Sequence, residues 1–132
     1  MGKVKSVLWV EDDQMLIDLY TEIIRNMPDF SVEFMKLGKP AIDRIKEIEA
    51  GKAEKPDLVM LDLLLPDISG DKILEEIKKT LSTKDVPVYI LTNYGGDQVE
   101  NKMTKKLNAE KYLIKTEWGP TKLMSLIKKV LK

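Results

Sequence analysis

The 132-residue chain contains no cysteine and no histidine. Without thiols it has no disulfide, thiolate nucleophile or cysteine-based zinc site. Without imidazole it is neither a phosphohistidine donor nor an enzyme with a histidine base. Aromatic residues are scarce, at 6%, and no uninterrupted apolar run approaches the roughly 20 residues a membrane span needs. The opening Met1-Gly2-Lys3-Val4-Lys5-Ser6 lacks a signal peptide's apolar stretch and cleavage site, so a cytoplasmic location without membrane insertion is expected. Net charge is also missing. Twenty-two basic residues balance twenty-two acidic ones, which leaves no overall field to favour nucleic acid, and no direct DNA binding is expected.

What is present suits a globular domain with a sizeable core, since 43% of residues are hydrophobic and 33% charged. The length fits one domain over residues 1–132, with little room for an output domain. Short apolar runs alternate with stretches of helical period, which argues for βα units around a parallel sheet. Continuous apolarity fits strands buried on both faces. The pattern predicts a helix with the stripe Leu16 to Met27 closed by Pro28, a strand over Phe30 to Met35, and a helix through Ala41 to Ile48 ended by Ala50-Gly51. A third helix carries Ile73, Leu74, Ile77 and Leu81 on one face, and a fourth strand covers Val86 to Leu91. The fourth helix, Asp97 to Leu107, has only the thin seam Val99, Met103 and Leu107, so it is expected to be weakly held. Asn108 is a plausible left-handed cap, Lys111 to Ile114 a fifth strand, and Pro120 the opening of a last helix.

Charge is unevenly placed. From Gln98 onward nine lysines face three glutamates, giving this third six net positive charges. Solvated helix faces and a docking face for an acidic partner both fit that count.

The chemistry sits just after the apolar runs. Glu11-Asp12-Asp13 follows Val7 to Val10, Asp62 follows Leu58 to Leu61, Thr92 follows Val88 to Leu91, and Lys115 follows Tyr112 to Ile114. If the runs are neighbouring parallel strands, these groups converge outside their carboxyl ends, where open α/β sheets build sites. Singly, each has an ordinary reading: helix-start acids, a turn threonine, a surface lysine. Jointly they offer oxygen ligands for a hard ion such as Mg2+, an ammonium and a hydroxyl for phosphoryl oxygens, and a carboxylate able to form an acyl phosphate.

These residues resemble the receiver domain of two-component response regulators over nearly the full length. The segment from Pro56 to Gly70 looks like the family's strand-aspartate-loop signature, with proline four and glycine eight residues after Asp62. The resemblance implies a flavodoxin-like α/β fold with five parallel strands in the order 2-1-3-4-5 and helices on both faces. It implies Asp62 as phosphoacceptor, Glu11 and Asp12 as metal-holding acids with the Leu64 carbonyl as a further ligand, and Mg2+ as cofactor. Thr92 would bond a phosphoryl oxygen, Lys115 would pair with the phosphoryl group, and Tyr112 matches the aromatic that turns inward on activation. The implied function is that of a stand-alone response regulator, not a conventional enzyme, which catalyses its own phosphorylation and dephosphorylation. Its donor would be a sensor histidine kinase or histidine phosphotransfer protein, and its fourth helix, fifth strand and fifth helix would signal to a downstream protein. A phosphorylation-independent adaptor is the alternative. A metal-dependent phosphatase with an aspartyl intermediate is disfavoured, because Leu64 stands where that family has a second aspartate.

Three features depart from the receiver pattern: Thr116 replaces the usual proline after the lysine, Asn93 stands where a small residue is common, and the Thr116 to Pro120 connection is slightly long. The Lys115-Thr116 bond is therefore expected to be trans, since cis before a non-proline residue costs about 2.5–4 kcal/mol. Leu64 and Tyr94, two residues after the aspartate and the threonine, are expected to hinder water and slow phosphate loss.

Overall fold

Strands form where large apolar residues run without interruption, and helices where they recur every three or four. A computed structural model describes residues 4–132, so Met1 to Lys3 of the segment read for a signal peptide lie outside the described residues. The order is β1 (Lys5–Val10), α1 (Gln14–Ile24), β2 (Phe30–Met35), α2 (Gly38–Glu49), β3 (Leu58–Leu61), α3 (Gly70–Lys79), β4 (Val88–Thr92), α4 (Asp97–Asn101), β5 (Lys111–Ile114) and α5 (Pro120–Val130). All strand pairs are parallel, in the order β2-β1-β3-β4-β5. This is the flavodoxin-like arrangement expected from the sequence. No described helix is long and apolar enough to cross a membrane.

The strands separate two cores. On one face Leu8, Val10, Val59, Leu61, Val88 and Ile90 meet apolar side chains of α2 and α3. On the other, Val7, Trp9, Leu58, Met60, Tyr89, Leu91 and Leu113 meet Tyr20 of α1 and Leu123, Met124 and Ile127 of α5. Side chains of a strand alternate between faces, so β3 is apolar at every position and β4 is buried at every position because both faces are covered. β2 pairs only with β1, and from Phe30 to Phe34 its residues alternate between half-buried and exposed.

Several boundaries differ from the periodicity. α1 stops at Ile24, four residues before Pro28; Arg25 still bonds back to Thr21, and Met27 packs from the following turn. α3 ends at Lys79 and leaves Leu81 76% exposed, so Leu81 is not part of the apolar face. β4 begins at Val88 and includes Thr92. The predicted fourth helix is two pieces: five α residues that bury nothing, then a π turn, Lys102–Lys106, closed by Leu107 N–H to the Lys102 carbonyl at 3.0 Å. Met103 is its one buried anchor, and Asn108 takes the left-handed conformation with φ 65°. Weak anchoring of this element was legible; its change of helical pitch was not.

Burial raises the Tyr20 phenol to a pKa of about 12, because ionising it beneath Trp9 strands a charge in the core. The folded state therefore holds this proton at a pH where the unfolded chain releases it, and stability attributable to Tyr20 is intact below pH ~10 and lost as pH rises toward ~12. Urea denaturation at pH 8 and pH 11 should show Tyr20→Phe losing less stability between the two than the parent, by up to about 1.4 kcal/mol.

Candidate functional site

The ladder register places the polar residues. Val10 pairs with Leu61, and the next step of each strand is still tied: Glu11 N–H reaches the Met35 carbonyl at 2.9 Å and Asp62 N–H the Val10 carbonyl at 3.1 Å. Glu11 and Asp62 thus leave adjacent strands side by side. Thr92 is the last residue of β4 and pairs with Ile114, so Lys115 stands one residue beyond, at the start of a 3-10 turn, Lys115–Glu117.

Desolvation dominates the electrostatics. Glu11 is 1% exposed and Asp62 5%. Lys115 Nζ donates to Asp62 Oδ2 at 2.7 Å and lies 2.8 Å from Glu11 Oε1. The second contact is a close ion pair, and the ammonium is the one group that serves the buried Glu11 Oε1. Glu11 Oε2 accepts the Asp13 N–H at 3.0 Å. Burial raises the Glu11 pKa against the opposing pull of the ammonium. Burial also works against charge on Lys115, but the two carboxylates prevail and raise its pKa. The lysine remains a cation here.

Ligand atoms of Glu11, Asp12 and Asp62 come within 4.8 Å of one another. Three carboxylates this close, set against a single ammonium, are a donor set that fits a hard divalent cation. Asp13 is not part of this cluster: its Oδ1 caps α1, accepting Met15 N–H at 3.0 Å and Leu16 N–H at 3.3 Å.

The loop after Asp62 is fixed by its own backbone. Leu64 N–H donates to Asp62 Oδ1 at 3.1 Å, which orients the carboxylate. Gly70 N–H bonds the Leu63 carbonyl at 2.8 Å, and a Cβ on Gly70 would stand 2.2 Å from the Asp62 carbonyl oxygen. Only glycine allows α3 to start this close to the strand. Asp67 reaches across to α2, accepting Gly38 N–H and Lys39 N–H at 2.8 Å each, and these amides hold its pKa below the usual carboxylate range. α2 is thus capped by a loop nearly thirty residues away.

On the other side, Thr92 is fully buried and its Oγ1 accepts Tyr94 N–H at 3.2 Å. The Tyr112 hydroxyl donates to the Tyr94 carbonyl, tying β5 to the loop before α4. No described peptide bond is cis, so Lys115-Thr116 is trans, and Lys115 reaches both acids without the proline geometry.

The structure brings Glu11, Asp12, Asp62 and Lys115 together as expected and sets Thr92 at the same sheet edge. Leu64 and Tyr94 line one groove and are 58% and 48% exposed. Sequence reading missed two supports. One is the Asp67 cap; its signal was a Pro-Asp pair inside the loop. The other is Asp71, which makes a 3.5 Å ion pair with Lys102 and ties α3 to the π turn; an acid in a helix's first turn was its signal.

The fold and the site define the class: a doubly wound parallel α/β protein with a buried acid pair and a lysine gathered at the carboxyl edge of its sheet. The sequence profile of the response regulator receiver domain matches residues 7–128, and the chain belongs to that family, the receiver domains of two-component signalling. The regulatory protein VanRc of Enterococcus gallinarum is 33% identical over 129 residues, which cover 97% of this chain and 50% of that protein. Among solved structures, the phosphorylated cyanobacterial phytochrome response regulator RcpA is similar with TM-score 0.76 and 28% identity, covering 97% of this chain and 89% of that one. The Mn(2+)-bound form of response regulator Rcp1 is similar with TM-score 0.74 and 28% identity, covering 96% and 89%. The chain spans about half or less of the length of the curated relatives it matches.

Because Asp13 caps α1 while Asp12 faces the cluster, the two acids should fail differently. Asp12→Ala should weaken Mg2+ binding strongly with little change in stability. Asp13→Ala should leave binding nearly intact and cost about 0.5–2 kcal/mol of stability. Calorimetric titration with Mg2+ and urea denaturation of both variants check this.

Proposed function

We propose that this receiver accepts a phosphoryl group on Asp62 from the phosphohistidine of a sensor kinase or phosphotransfer protein, with Mg2+ held by Glu11, Asp12, Asp62 and the Leu64 carbonyl. The observation that carries the reading is the Asp62 carboxylate itself. It is buried, oriented by Leu64 N–H, and paired with a lysine that a second buried acid also holds. The phosphorylated RcpA and Mn(2+)-bound Rcp1 structures, on the same fold, support it.

In the transfer, an Asp62 oxygen forms a bond to phosphorus as the bond from phosphorus to the donor's imidazole nitrogen breaks, and the electron pair leaves with the imidazole. Lys115 already touches the attacking carboxylate, so its charge meets the phosphoryl oxygens without a large rearrangement. The Thr92 oxygen accepts from Tyr94 N–H, which leaves its own hydroxyl proton to give to a phosphoryl oxygen. A bound divalent ion supplies further neutralisation of the charge crowded at this edge. Hydrolysis returns Asp62 to the carboxylate, and the same residues serve both steps.

Thr92 and Tyr112 form the switch in this reading. A pull on the Thr92 hydroxyl moves the residue whose oxygen holds Tyr94 N–H, and Tyr112 holds the Tyr94 carbonyl. Both bonds end on the loop that leads into the weakly anchored α4, which with β5 and α5 presents the signalling face.

Asp62→Asn should abolish phosphate acceptance and keep the fold, since the amide replaces the carboxylate at nearly equal volume. Intact-mass analysis after incubation with acetyl phosphate and Mg2+ reads it; labelling of the variant equal to the parent would remove Asp62 from the role. Phosphate loss should quicken in Leu64→Asn and Tyr94→Ala, since each trims a side chain beside the line of water attack. About tenfold corresponds to 1.4 kcal/mol of barrier, and unchanged release rates in both would show that neither shields the site.

A further inference from the structure

Beside the site lies a groove of about 680 Å³, between the start of α3 and the π turn after α4. Leu64, Tyr94, Val99 and Met103 supply its apolar lining, and Lys102 and Lys106 line it as well. Its volume falls in the range of about 300–1,000 Å³ that suits a ligand's side chains. The lining mixes apolar and basic side chains. Asp71 balances Lys102, but among the described residues no carboxylate lies within ion-pair distance of Lys106 or of the neighbouring Lys105.

We propose that this groove receives a partner-protein segment carrying an apolar side chain flanked by carboxylates, and that the bound segment covers the approach to Asp62. The second half rests on the phosphoryl-accepting role proposed above. Charge selects the occupant: a basic segment would meet Lys105 and Lys106 unfavourably, and a nucleic-acid backbone has no apolar group for Val99 and Met103. An acidic segment with a leucine-sized anchor satisfies both surfaces. Leu64 and Tyr94, the side chains proposed above to hinder water at Asp62, both line the groove, so an occupant touches them directly. α4 buries no residue of its own and can settle onto the occupant at little cost in packing. By reciprocity of coupled sites, a segment that binds the phosphorylated state more tightly also protects it.

The probe is the capped hexapeptide Glu-Glu-Leu-Leu-Glu-Glu, titrated into the isotopically labelled full chain and followed by amide chemical shifts. Binding in the millimolar range or tighter, with shifts centred on Leu64, Tyr94, Val99, Lys102 and Met103, is the expected result. The double reversal Lys105→Glu with Lys106→Glu, both exposed and outside the phosphoryl site, should weaken binding by about tenfold or more. Reversal of Lys128 and Lys129 on α5 should not. Phosphate loss measured with saturating peptide should slow severalfold. The proposal is overturned if the peptide does not bind at millimolar concentration, or if shifts spread equally over the α5 lysines. It is also overturned if Lys-Lys-Leu-Leu-Lys-Lys binds as well, or if a short DNA duplex or phosphatidylglycerol vesicles bind with the same dependence on Lys105 and Lys106. Unchanged phosphate loss at saturation removes the covering role. If Asp62 takes no label at all, the phosphoryl reading fails while the titration still judges the groove.

Discussion

Two carboxylates buried at adjacent strand ends share one lysine, and the rest of the molecule is arranged around that contact. Glu11 and Asp62 are almost removed from water, where unpaired charges are costly. Lys115 answers both from just past the end of β5, two strands from β3 and three from β1. Removing one member of such a buried group typically costs about 3–5 kcal/mol, since a charge is left uncompensated. The cluster still sets three carboxylates against one ammonium. A site held together this way keeps residual demand for positive charge, which suits it to take up a cation and to exchange charge with an incoming anion.

The loops at this edge are rigid where the chemistry needs position and loose where a signal needs movement. Around Asp62 the backbone is over-determined: Leu64 N–H on the carboxylate, Gly70 against the Asp62 carbonyl, and Asp67 pinned to the start of α2. Each bond limits where the carboxylate can point. On the far side, the chain from Thr92 to Leu107 has few buried contacts, with Met103 as the one anchor of its helical part. Its ties to the site run through Thr92 and Tyr112, both bonded to Tyr94. Mobility is drawn from segments of low local stability, and the placement of the weak element next to the rigid one is what couples them.

The missing proline after Lys115 shows how the fold tolerates a departure from the family pattern. With a trans bond at Thr116, the chain enters a 3-10 turn rather than a proline-set corner. The lysine's four-carbon stem absorbs the difference, and its ammonium still stands between the two acids.

Sequence alone determined the class of fold, the strand order implied by the family pattern, and the residues that gather at the sheet edge. The reason is periodicity: β3, and β4 up to Thr92, run without charged residues because parallel strands are covered on both faces, and in such sheets strand ends lie together at one edge. Tertiary structure alone decided which acid does what. Glu11, Asp12 and Asp13 are three successive carboxylates, and only the capping of α1 by Asp13 separates the third from the cluster. It also decided that Leu81 lies outside the helix it seemed to extend, that α4 changes to a π turn, and that Asp67 and Asp71 brace elements far from them in sequence. These are long-range hydrogen bonds and packing choices, which leave no period in the chain and arise only when distant segments meet.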